Sequence, residues 1–156
     1  MSLVKQGVKE LPITDTRMTR FWITLQQGVD FVVQSLSRMQ GGEVFVPKIP
    51  SIRITDLAEA MAPGRPTKIV GIRPGEKLHE VMCPLDDSHL TLEFADHYVI
   101  KPSIEFWRVD EARYERNGLG EEGRYVAQGF EYNSGTNPHF LRTEEILAFN
   151  HLSAPC

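Results

Sequence analysis

The residues of this 156-residue chain best suited to chemistry lie in one stretch, Arg73-Pro74-Gly75-Glu76-Lys77-Leu78-His79-Glu80. A guanidinium presents a planar fork of donors that suits a phosphate, and each such charge-assisted bond contributes about 1.5–3 kcal/mol. Glu76 lies one turn further on, and an ionised carboxylate can accept two hydroxyl hydrogens at once, the common grip on a ribose edge. The same spacing also lets Arg73 and Glu76 pair with each other across a loop, with Glu76 complementing a helix dipole.

The elements that must position these groups can be read on either side. The apolar run Lys68-Ile69-Val70-Gly71-Ile72 predicts a strand, Pro74-Gly75 a tight turn, and the spacing of Leu78, Val81 and Met82 a helix. Upstream, residues 4–11 read as the tail of a helix, and residues 11–21 as an extended segment with a turn at Asp15. Thr24-Leu25-Gln26-Gln27 fits a capping box, and Val29, Val32, Val33 and Leu36 share one face, so a helix begins there and stops at Gly41-Gly42. Residues 43–46 predict a short strand ended by Pro47 and Pro50, and Thr55 is the expected cap of a second helix running to Met61. That order favours a small layered α/β unit with a parallel pair of strands. Residues 90–94 and 98–100 predict a hairpin turning at Asp96-His97. Residues 108–124, rich in charge and glycine, are expected to be loosely packed. A turn over 133–138 and a short helix over 144–149, capped by Thr143, complete the reading. The expected division is a binding subdomain over 1–106 and a tail over 107–156.

At 41% hydrophobic and 24% charged, the composition is that of a globular domain with a real core. The net charge is −4 and the basic residues are scattered, which argues against a nucleic-acid footprint. Two distant cysteines, Cys83 and Cys156, predict a reducing compartment, and with neither a membrane-length apolar run nor a leader the expected location is cytoplasmic.

Other motifs carry less. Gly118-Leu119-Gly120-Glu121-Glu122-Gly123 spells a dinucleotide pattern, yet it follows no strand and sets two carboxylates where a pyrophosphate would sit, so it reads as a loop. No tyrosine has a lysine four residues later. The five histidines show no metal-ligand spacing, His79 reads as a surface or half-buried residue, and Cys83 has no evident base. What remains is the set of arginines flanking turns, Arg17, Arg20 and Arg73. Two of these converging on a diphosphate, with Glu76 on a sugar, would make a nucleotide diphosphate site without a catalytic group.

Three strings, residues 11–24, 41–51 and 73–80, closely resemble the carboxy-terminal half of UDP-N-acetylglucosamine 4,6-dehydratases, members of the extended short-chain dehydrogenase/reductase superfamily. Residues 130–141 resemble the tail of the inverting branch, which starts pseudaminic acid synthesis for flagellin and surface glycans. The resemblance implies the substrate-binding part of an extended NAD(P)-binding Rossmann-type fold, without the Rossmann half. It implies that Arg73 binds the pyrophosphate and Glu76 the ribose hydroxyls, that Thr14 runs past the uracil or ribose, and that Arg20 gives a second phosphate contact. It further implies UDP-sugar as ligand and NADP as the cofactor of the parent enzyme. The glycine-rich loop and the Tyr-x-x-x-Lys pair have no counterpart in this sequence. The chain alone is therefore expected to bind no NADP, to turn over no sugar, and to need the amino-terminal half as its partner. Two other readings stay open: a non-catalytic module that binds a partner subunit or self-associates, and half of a 4-epimerase.

Overall fold

A computed structural model describes residues 9–104 and 111–152. The expected helix tail over 4–11 falls mostly outside them, as do residues 105–110 of the charged stretch and its approach. The chain forms two compact units of interleaved segments, one drawn from 1–24, 49–80 and 134–156, the other from 25–48 and 81–133.

The first unit contains β1 (Leu11–Ile13), β2 (Thr19–Phe21), β4 (Ser51–Arg53), α2 (Ile54–Met61), β5 (Thr67–Ile69) and α3 (Thr143–Leu152). Its parallel pair is β1 with β5, in the register Leu11 to Thr67 and Ile13 to Ile69. A parallel pair is thus present, and β5 takes as its partner a segment whose sequence shows no period at all. Strand β4, between the Pro47–Pro50 run and the start of α2, escaped the sequence pattern; it pairs antiparallel with β2. Helices α2 and α3 close on a core of Ile52, Ala60, Leu141 and Ile146, with Trp22, Leu57 and Phe149 packed against it. Asn137 ties the segment before α3 to the β4 end by donating from Nδ2 to Ile49 O at 2.9 Å and Ser51 Oγ at 3.0 Å. The caps were misplaced by one position or more. Arg53 is the N-terminal cap of α2 and makes no side-chain bond there, while Thr55 lies inside the first turn; Thr143 likewise begins α3.

The second unit holds α1 (Leu25–Arg38), β3 (Val44–Pro47), β6 (Val81–Cys83), β7 (Thr91–Glu93), β8 (His97–Ile100), β9 (Arg124–Tyr125) and β10 (Tyr132–Asn133). Four of these strands form an antiparallel sheet in the order β3-β8-β7-β9. The anticipated hairpin is its centre, with one change: His97 sits in β8 and is fully buried instead of turning the chain. Leu92, Phe94, Val99 and Tyr114 form the core.

Two expectations fail here for physical reasons. No helix follows Gly75. Val81, Met82 and Cys83 form β6, antiparallel to β10, because Pro84 removes a backbone donor and biases its predecessor to extended geometry, leaving too few residues for a helix. The charged stretch is also better packed than its composition suggests. Tyr114 and Asn117 are buried, and Asn117 Oδ1 accepts the backbone N–H groups of Leu119 at 3.1 Å and Glu121 at 3.0 Å.

Candidate functional site

In the first unit, β1 and β5 run in the same direction and stop together, so the segments leaving their carboxyl ends emerge at one edge. In open α/β sheets that edge is where ligands bind. Thr14 follows β1 as a half-buried bend, and Val70 N donates to Ile13 O at 2.8 Å, which keeps the outgoing β5 segment beside it. Residues 70–80 then form a loop.

Its turn is built by the sequence. Pro74 presets φ at the second position, Gly75 has φ +81 at the third, and Glu76 N donates to Arg73 O at 3.0 Å, the pattern of a type II turn. A carboxylate oxygen of Glu76 accepts the backbone N–H of Arg73 at 3.2 Å and seals the turn from outside. Glu76 therefore stands on a turn and complements no helix dipole. The guanidinium of Arg73 is solvent-exposed and has no ion-pair or hydrogen-bond partner among the described residues. An Arg73–Glu76 ion pair, the alternative left open by the spacing, does not form.

Arg20 is placed differently. Its Nη1 donates to Thr19 O at 2.6 Å and Leu78 O at 3.2 Å, its Nη2 lies 3.1 Å from Met18 Sδ, and its Nε lies 3.4 Å from Glu80 Oε1. These contacts commit the side chain to holding the far end of the loop. Arg17 pairs with Asp15 across the β1–β2 turn, holding that carboxyl down at about 2 through the side-chain hydrogen bond first and the backbone N–H of Arg17 second.

The latch that ends the loop has no signature in the sequence. Ser134 Oγ accepts the backbone N–H of Glu80 at 2.9 Å and lies 2.7 Å from Thr19 Oγ1, which lies 2.8 Å from His79 Nδ1. Thr19 and Ser134 are both buried. Each hydroxyl hydrogen finds an acceptor in one arrangement only: Ser134 donates to Thr19, and Thr19 donates to His79 Nδ1. That arrangement assigns the ring proton of His79 to Nε2. Gly135 makes room for the ring, since a Cβ there would lie 2.6 Å from His79 Nδ1. The partners are 60 and 115 residues apart in sequence, beyond the reach of any local pattern.

In the second unit, the strongest electrostatic cluster centres on Arg38. This guanidinium donates to Glu121 at 2.9 and 3.2 Å and to Asp96 at 2.9 Å while its side chain is only 6% exposed. Burial alone would pull Arg38 down, but its bonds to Glu121 and Asp96 more than offset that and raise it. Burial likewise works against Asp96, whose bonds from His97 and Arg38 hold it below its ordinary value; Glu121 is lowered by Asn117 and then by Arg38. His97 is stacked on Phe94 at 4.6 Å, and burial lowers its basicity despite the bond to Asp96. Gly118 and Gly123 press against Ser37 O and the Phe94 ring, respectively, so the glycine-rich string is filled by packing and leaves no cradle for a dinucleotide. Cys83 is buried and pushed up to about 12, chiefly by desolvation, and so is not a nucleophile. Among the described residues no cluster of His, Cys, Asp and Glu could hold a metal ion, and no helix is long and apolar enough to cross a membrane.

The fold is thus mixed α/β, and in the first unit an open loop leaves the carboxyl end of a parallel pair of strands. Residues 1–102 match the model of the polysaccharide biosynthesis protein family, and the chain belongs to that family. It is 56% identical over 150 residues to a Campylobacter jejuni UDP-N-acetylglucosamine 4,6-dehydratase (inverting), an alignment that takes in 96% of this chain and 45% of that protein. A Rickettsia canadensis UDP-glucose 4-epimerase is 37% identical over 101 residues, covering 62% of this chain and 29% of the epimerase. Among solved structures, Pen from Bacillus thuringiensis superposes with a TM-score of 0.73 at 24% identity, across 98% of this chain and 44% of that one, a likeness of fold. The chain spans about half the length of the dehydratases it matches, and corresponds to their carboxy-terminal part.

Proposed function

We propose that this chain is the UDP-sugar-binding portion of a UDP-N-acetylglucosamine 4,6-dehydratase of the inverting type, acting in the synthesis of pseudaminic acid for flagellar or surface glycans. The observation that carries the reading is the Arg73 guanidinium, exposed and without a partner among the described residues, on a loop leaving the carboxyl end of the β1–β5 pair. Arg73 takes the diphosphate. Glu76, whose second carboxylate oxygen receives no bond in the turn, takes the ribose hydroxyls. Thr14, at the same edge, borders the nucleoside, and Arg20 supports the loop, reaching a phosphate only by releasing its present acceptors. The parent reaction, loss of water from the hexosamine through a transient oxidation, would draw its hydride chemistry from NADP held by an amino-terminal Rossmann half; this chain alone binds neither NADP nor a turning-over sugar. The dehydratase reading is preferred to the epimerase because identity is higher and extends over nearly the whole chain.

Calorimetric titration of UDP into the chain and its Arg73→Ala variant tests this. Loss of one or two charge-assisted bonds weakens binding by roughly 10-fold to 100-fold. Equal heats for the two proteins remove Arg73 from the site.

A further inference from the structure

The loop that carries Arg73 and Glu76 is tied down at its far end. Thr19 N donates to Leu78 O at 3.1 Å, and Ser134 Oγ takes the N–H of Glu80 at 2.9 Å. The rest of the latch is a file of single hydrogens: Ser134 donates to Thr19 Oγ1 across 2.7 Å, and Thr19 donates to His79 Nδ1 across 2.8 Å. Both hydroxyl residues are buried, and the file ends on a histidine, the side-chain type whose charge changes under mild acidification.

A second ring proton has no place in this arrangement. On Nδ1 it turns His79 from acceptor to donor, so Thr19 Oγ1 must receive it and send its own hydrogen toward Ser134. Ser134 Oγ then accepts from both Glu80 and Thr19, and its own hydrogen, in a fully buried residue, has no acceptor among the described residues. Turning the Thr19 hydroxyl back only moves the orphan to Thr19. Folded proteins avoid buried donors without acceptors, so a protonated His79 and a closed latch oppose each other. Charge around the ring does not reverse this. The segments that meet there bring Arg20 from β2 and Lys77 and Glu80 from the loop, and residues 132–138 bring none. Arg20 and Glu80 offset each other at 3.4 Å.

We propose that His79 is a positioning residue for the nucleotide diphosphate site and that its protonation is a switch. Neutral, it holds the Arg73–Glu76 loop in the form that receives the ligand; protonated, it releases the far end of the loop and weakens binding. The ligand rests on the reading given above, whereas the switch belongs to the latch and can be read without any nucleotide.

The test has a ligand-free arm and a binding arm, both on the full chain. In the first, nitrogen-15 NMR at pH 8 shows His79 as the Nε2–H tautomer. From pH 8 to pH 5 the protection of the Glu80 amide against hydrogen exchange, taken relative to the intrinsic rate at each pH, falls roughly 10-fold as the ring takes its proton. His79→Asn sets a carbonyl oxygen in place of Nδ1, which accepts from Thr19 and takes no proton, and in that variant the protection holds. An Nδ1–H tautomer at pH 8, or a ring that charges while Glu80 stays protected, overturns the proposal. In the second arm the probe is the β-methyl ester of UDP, which lacks the terminal phosphate ionisation at about 6 that would itself alter binding. Its dissociation constant rises roughly 10-fold from pH 8 to pH 5 in the unaltered chain and stays level in His79→Asn. An equal rise in both proteins overturns the switch. Should His79→Asn fail to fold, the exchange arm on the unaltered chain decides. Loss of Glu80 protection on acidification, with no binding of the ester at any pH, would keep the switch and remove its ligand.

Discussion

Two arginines divide the molecule's electrostatics between them. In the second unit Arg38 is nearly sealed from solvent and spends Nε and Nη2 on Glu121 and Asp96, while its buried Nη1 has no partner among the described residues. In the first, Arg73 stands in the open on a type II turn, with no described partner for its guanidinium. The difference teaches that burial and pairing commit a charge to the fold, whereas an exposed one without a described partner keeps its donors for solvent or, on the proposed reading, for a ligand. Both lie near glycine and acidic residues in sequence, so composition alone does not separate them.

The largest expected effect is on the structural side. Arg38→Ala removes three charge-assisted bonds and leaves two half-exposed carboxylates, costing about 2–4 kcal/mol as read from the urea midpoint. Arg73→Ala, by contrast, should move that midpoint by less than about 0.5 kcal/mol while weakening UDP binding. Similar stability losses for both variants would erase the distinction. Next, Gly135→Ala drives a Cβ against His79 and disturbs the latch, costing about 1–3 kcal/mol, with UDP affinity falling in parallel; unchanged affinity would separate the latch from the site.

A smaller effect comes from pH. His97 is lowered in the folded state, so below its ordinary value of 6.5 the unfolded chain binds the proton first, and the contribution present above 6.5 is lost as pH falls toward the folded value. Asp96 and Glu121, also lowered, add a second loss on further acidification, below about 4.5. The urea midpoint should therefore fall between pH 7 and pH 5, and His97→Phe should flatten that first decline. A midpoint that rises on acidification would contradict the burial of His97. The least effect belongs to Arg17→Ala, whose exposed pair with Asp15 should leave the midpoint unmoved.

How much of this could be read in advance follows from the range of each interaction. The turn at Pro74-Gly75, the hairpin over 91–100 and helix α1 come from local chemistry and were legible; a parallel pair was expected from the order of elements and is present, but β5 pairs with β1, while β3 lies antiparallel to β8. Arg73 at the mouth of the Pro74-Gly75 turn was legible too, whereas Glu76, expected on the first turn of a helix, is the half-buried last residue of the turn itself. The helix after Gly75 was misread because Leu78, Val81 and Met82 mimic a helical period in a window that Pro84 cuts short. The outward face of α1 was legible as a stripe, but its side was not, since periodicity tells which residues share a face and not whether that face meets protein or water. The Thr19–His79–Ser134 latch was invisible, because its members come from three separate segments and are ordinary residues in each.

The acidic glycine-rich string has one more consequence. Gly118 N donates to Arg38 O at 2.8 Å, and at either end of the string a methyl group would collide, with Ser37 O at one end and the Phe94 ring at the other. The interval between these two anchors is therefore a ruler of fixed length that sets Glu121 opposite Arg38. Surface loops usually absorb insertions with little harm; here one added residue would pull the carboxylate out of step with its guanidinium, so apart from the two end glycines and Glu121 this segment should tolerate changes of letter far better than changes of count.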